Sequence, residues 1–256
     1  MDKHLHAGYD PAAHGLCLPQ QAGLQRVVDD VEDELPRAQK LSVQDVITFQ
    51  RSVFEGTIYD MTADTDWLVP DAEGKLVKSP LTTPFPTSQW RQLLDITWHR
   101  NVSKGGYGMV AQLRSWLPDA IGGVYWLYLD NQYVSTYVPI HAGVQEIPRS
   151  YETYDWEAFS EDSARWLIDF VDNLLYLRFQ EAIEDVRAER DPLEASFFST
   201  QVEVEQKALE LYRTSPEQAE AFLTDHTRDC MEKVVELYRA LRTMLITKYT
   251  NNHEWL

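Results

Sequence analysis

Few residues in the chain could do chemistry. There are two cysteines, Cys17 and Cys230. A cysteine nucleophile needs a base within reach and a rigid seat. Cys17 sits in HGLCLPQQAG, where Leu18-Pro19 offers no strand end and no helix terminus, although His14 is near in sequence. Catalysis by Cys17 is therefore the weaker reading. Cys230 falls on an apolar helical stripe and reads as a small buried hydrophobe. His4, His6 and His14 lie near the start, but no dense His/Cys/Asp/Glu set follows at ligand spacing, so no metal and no cofactor is expected. His141, in PIHAG at a strand end, is better placed, yet a loop histidine needs no function. Gly105, Gly106 and Gly108 lack the strand-before, helix-after setting of a phosphate cradle. What remains is Gln112, Arg114, Asp130 and Asn131. Arg114 alternates with apolar neighbours in AQLRSW, so an inward guanidinium must be paired. A structural ion pair with Asp119 or Asp130 would satisfy it. Asn131 fits a tight joint because Asn tolerates turn conformations.

These four residues flank two apolar runs, IGGVYWLYLD (121–130) and YVSTYVPI (133–140), joined at Asp130-Asn131-Gln132. Both read as strands. In the first, Val124, Trp126 and Tyr128 share one face, and Tyr125, Leu127 and Leu129 share the other. A strand apolar on both faces wants cover on both. Tyr107–Trp116 reads as a further strand, and 92–98 (QLLDITW) as another. Upstream, Ser42 can cap a helix through VQDVITFQRSVFEG that stops at Gly56, with Phe49 off its apolar stripe. Residues 56–88, with Pro70, Pro80, Pro84 and Pro86, read as a long loop or insertion. Downstream, 160–190 reads as one long helix capped by Ser160, and Pro192 punctuates it. Further helices follow over 194–213, from Pro216, and over 225–248. Strands followed by helices argue for an α+β fold. The chain divides into a lead-in with a short helix (1–40), a helix, loop and sheet block (41–150), and a helical region on the same core (151–256). The helices can cover one face of the sheet; nothing obvious covers the other.

Bulk properties limit the function classes. The 256 residues carry 41 Asp+Glu against 23 Lys+Arg, a formal charge of −18. Such a surface repels nucleic acid, serves solubility, and would attract a cationic partner. Two cysteines make no disulfide framework, and no run nears the roughly 18 apolar residues of a membrane span. The first residues lack a secretory apolar region, so a cytoplasmic protein with no membrane partner is expected.

Several blocks, in order, carry a family resemblance: EGTIYDMT (55–62), QLRSWLPDAIGGVYWLYLDN (112–131), STYVPIHAG (135–143), DFVDNLLYLRFQEAIEDVR (169–187), EVEQKALELY (203–212), AEAFLTDHT (219–227) and LITKYT (245–250). From about residue 40 onward the chain resembles the cysteine dipeptidases of peptidase family C69, which are N-terminal nucleophile hydrolases. The resemblance implies a four-layer αββα sandwich of antiparallel sheets, in which each sheet lies between helices and the other sheet. It implies hydrolysis of dipeptides by an N-terminal cysteine whose α-amino group serves as base, without a cofactor. It gives Arg114 the binding of a substrate carboxylate and Asn131 the support of the oxyanion, with Gln112 and Asp130 beside them. No residue here matches the nucleophile, and Cys17 lacks its setting, so the chain resembles the C-terminal half of such an enzyme. The rival expectation is a non-catalytic interaction or scaffold subunit. It would pair with an N-terminal fragment or with itself through the open sheet face.

Overall fold

The computed structural model describes residues 40–96 and 104–250. From Ser42 onward the described residues belong to one unit. The expected lead-in helix and Cys17 fall outside the described residues. Helix α1 (Val43–Arg51) starts where Ser42 and Asp45 cap one another, each side chain accepting from the other's backbone N–H. It ends at Arg51, earlier than Gly56, because Ser52 already takes extended backbone; Phe54 and Gly56 then turn to positive φ. Much of the expected loop is structured. Strands β1 (Leu68–Pro70) and β2 (Leu76–Lys78) form a hairpin, and Thr82, Thr83 and Phe85 are buried. The strand expected over 92–98 is not found where it is described: α2 (Ser88–Leu93) is a helix capped by Thr87, and a turn follows.

The main sheet is antiparallel, in the order β3 (Tyr107–Leu113), β4 (Gly123–Leu129), β5 (Val138–His141), with α3 (Asp119–Gly122) between β3 and β4. The second expected strand is halved. Asp130 takes φ 63, Asn131 Oδ1 accepts the Tyr133 N–H, and 131–135 turn before β5 begins. Pro139 on the edge strand β5 donates nothing to the ladder, and its carbonyl accepts from Thr227.

A short helix α4 (Arg149–Glu152) leads to three long ones: α5 (Ala164–Leu175), α6 (Phe179–Tyr212) and α7 (Pro216–Tyr249). Four were expected, with other bounds. Ser160 holds a turn, and Ser163 caps α5. The helix then breaks at 176–178, where the buried loop docks: the Gln180 N–H and side chain donate to the carbonyls of Pro80 and Thr82. Helix α6 runs through Pro192 instead of stopping there, and α7 unites the last two expected helices. Val124, Trp126 and Tyr128 are buried on the sheet face where Phe198 of α6 stacks on Trp126, at 4.1 Å between centroids. The opposite face is more open. Tyr125, Leu127 and Leu129 are half-buried, and Tyr107, Met109 and Leu113 on β3 are 70%, 46% and 80% exposed. The result is a mixed helical and antiparallel-sheet fold, as α+β requires.

Candidate functional site

The four sequence-derived residues fall into two centres. Asp130 and Asn131 end β4 and face α5. Asn131 is fully buried; its amide donates to Asp172 at 3.0 Å, and its oxygen accepts from Tyr133 N–H at 3.1 Å. Both ends of the carboxamide are thus fixed. Lys104 pairs with the same Asp172 and donates to the Tyr176 hydroxyl, which in turn donates to the Phe85 carbonyl. Arg165 reaches Asp130 at 3.0 Å and Asp169 at 3.5 Å, and lies over the Tyr154 ring. Three carboxylates therefore share two cations. Asp130 Oδ2 is buried and finds no hydrogen bond among the described residues. Burial, with Asp172 beside it, raises the Asp130 carboxyl to about 6. A strained, buried carboxylate titrating near neutrality beside a fixed amide can orient polar groups and exchange a proton.

Gln112, on β3, and Arg114, just after it, form the second centre, packed against α6. Arg114 grips Glu205 through both terminal nitrogens, at 2.7 and 2.6 Å, and donates to the carbonyls of Gly122 and Ile121. Arg114 is paired as expected of an inward arginine, but with Glu205 and not with Asp119 or Asp130. Gln112 accepts from Gln201 at 2.8 Å and from Trp126 at 3.4 Å. The two centres are tied to different helices, Asn131 to Asp172 of α5 and Arg114 to Glu205 of α6. His141 lies beside the second, 4.0 Å from Glu205, with both ring nitrogens buried and unpartnered. Burial, then His226 and Arg114, lower its pKa to about 3.

Asp172, Lys104, Arg165 and Glu205 escaped sequence reasoning. Each meets a partner far along the chain, Asp172 with Asn131 and Lys104, Arg165 with Asp130, and Glu205 with Arg114, and a lone charge carries no mark of what it meets. Gly108 had a structural purpose: a Cβ there would come within 2.5 Å of the Tyr128 ring. Cys230 is buried on α7, and burial pushes its thiol up to about 12, so it is no thiolate near neutral pH. Among the described residues no group of three or more His, Cys, Asp or Glu is arranged to hold a metal ion. No described helix is long and apolar enough to cross a membrane.

No curated protein matches the chain. The family model described as "Peptidase family C69" matches residues 29–191, well over half of it. That span contains β3, β4 and β5, all four candidate residues, and the Asp169–Asp172 face of α5. The chain belongs to peptidase family C69.

Proposed function

We propose that the chain serves hydrolysis of dipeptides by a cysteine peptidase of the N-terminal nucleophile type. The match over 29–191 carries this reading, because it spans the Asp130–Asn131 centre. In the reaction a thiolate adds to the scissile carbonyl, the oxyanion collapses with departure of the amine, and water hydrolyses the thioester. The nucleophile lies outside the described residues, since Cys230 is buried and protonated. The Asp130–Asn131 centre is the part beside the scissile amide, where the second Asn131 Nδ2–H supports the oxyanion. Arg114 and Gln112 stand at the other end of the ladder, where Leu113 pairs with Gly123, whereas Tyr107 pairs with Leu129 next to the Asp130–Asn131 centre. Roughly 20 Å of strand therefore separates the two centres, and one dipeptide does not reach both. The Arg114–Glu205 pair fastens the sheet to α6 and leaves the substrate to the Asn131 end. The three-stranded sheet is one layer of an αββα sandwich, in which the face bearing Tyr107, Met109 and Leu113 meets a second sheet. The working compartment is the cytoplasm.

The test is amino-acid release from a panel of dipeptides by the 256-residue chain, beside its Cys17→Ala variant. Release by the first and not the second makes Cys17 the nucleophile. Release by neither supports an orphaned half, and an added N-terminal half should then restore turnover. In the active form, Asn131→Ala should lower kcat by about 10²–10³ with little change in KM. An unchanged kcat rejects the oxyanion role. Arg114→Lys should leave KM unchanged and lower the melting temperature, because a point charge loses the bidentate grip on Glu205. The open sheet face favours a second reading, a non-catalytic subunit that associates through it, with an N-terminal fragment or a second copy as partner.

A further inference from the structure

A groove of about 530 Å³ lies between α1 and α6, in the size range of small-molecule sites. Gln44 and Arg51 line it from α1; Arg190, Asp191, Glu194 and Phe198 line it from α6. Arg51 is already filled, with Glu194 on both terminal nitrogens and the carbonyls of Gln132 and Ser135 beyond them. Arg190 differs. It is only 4% exposed, and its Nη1 holds the Tyr133 and Val134 carbonyls. Its Nε and Nη2 both donate to a single oxygen, Oδ1 of Asp191. That edge of a guanidinium is shaped for the two oxygens of one carboxylate. Here one oxygen occupies it, from a side chain that is 55% exposed. Adjacent helix residues do not face each other, so Asp191 must reach back to make this contact.

We propose that this groove binds a small monocarboxylate of amino-acid size with an apolar body, and that Asp191 is the intramolecular stand-in for it. The ligand carboxylate takes the Nε–Nη2 edge of Arg190 with two oxygens, and Asp191 swings into solvent. The Phe198 ring, already packed on Trp126, forms the apolar wall. With Asp191 displaced, Arg51 and Arg190 face only Glu194, so the local charge favours an anion despite the acidic whole. This site is separate from the Asp130–Asn131 centre and does not rest on the peptidase reading.

Calorimetric titration of the full chain with N-acetyl-phenylalanine, and with its C-terminal amide as control, tests the site. The acid should bind and the amide should not. Asp191→Asn removes the competitor and should tighten binding by about two- to fivefold, the range of an exposed ion pair. Arg190→Gln should weaken it by at least about tenfold. Arg190 also holds two backbone carbonyls, so Ser199→Trp gives a second route: it fills the groove from the exposed side of α6 and should abolish binding with Tm unchanged. Equal binding of acid and amide, no binding of the acid, or an Asp191→Asn affinity equal to or weaker than the parent's would each overturn the proposal.

Discussion

Asp130 concentrates three departures from ordinary chemistry: positive φ, a buried oxygen without a partner, and a carboxyl raised to about 6. An unfolded Asp ionises near pH 3.9. Between there and about 6 the folded chain keeps a proton that the unfolded chain has released. Stability therefore falls as pH rises through this window, and the whole cost is present above it. Asp130→Asn removes the charge and suits φ 63 better than most side chains. The variant should be more stable than the parent by about 1–3 kcal/mol near pH 8, with the gap closing near pH 4. Urea unfolding at the two pH values measures it, and an equal midpoint near pH 8 would show that the buried charge costs nothing. His141 works in the opposite sense. Its neutral form is fully favoured above about 6.5, and its contribution is lost as pH falls from there towards 3. Glu205 lies 4.0 Å away, but burial together with His226 and Arg114 opposes the charge, so no single neighbour rescues the imidazolium. His141→Phe keeps the bulk and drops both unpartnered nitrogens. Its acid-unfolding midpoint should move to lower pH; a midpoint that stays put assigns acid lability elsewhere.

At the scale of elements, the sequence showed period and composition but not tertiary anchors. The α1 cap, β3, β4 and the Pro216 start were legible because each rests on local chemistry: a capping box, alternation, a proline at a first turn. Pro192 misled for the same reason, since a local rule says that it ends a helix. What overrides the rule is long-range. Arg190, before Pro192, holds the carbonyls of 133–134; Glu194, after it, accepts from the Tyr137 N–H and from Arg51. Both flanks are fastened to one β4–β5 connection, so the helix is continuous across a residue that donates no hydrogen bond. The same long-range anchors hid the candidate site's neighbours, because Asp172 meets Asn131, and Lys104 meets Asp172, only in the folded chain. Pro192→Ala restores a donor to α6 but frees the unfolded chain. The restored bond should win by about 1–2 kcal/mol in thermal unfolding. A destabilised variant would mean that the ring is packed productively.

For the whole molecule, the unresolved matter is the sheet's second face. Tyr107, Met109 and Leu113 project from β3, beside half-buried Tyr125, Leu127 and Leu129 on β4. Register pairs them across the ladder, Met109 with Leu127 and Tyr107 with Leu129, so they form one apolar surface without a charged side chain. Such surfaces mark association sites or aggregation hazards. A net charge of −18 opposes both through repulsion between chains, and salt screens that repulsion. The two effects can be separated. If the face is an association surface, light scattering coupled to size exclusion should show larger species as salt rises from about 0.05 to 0.5 M. Leu113→Asp, at the most exposed of these positions, should hold the chain monomeric across that range. Its melting temperature should hardly change, because an exposed side chain contributes little to the core. A parent chain that stays monomeric at high salt would remove the support for self-association. It would leave the face to a partner that the acidic surface does not repel.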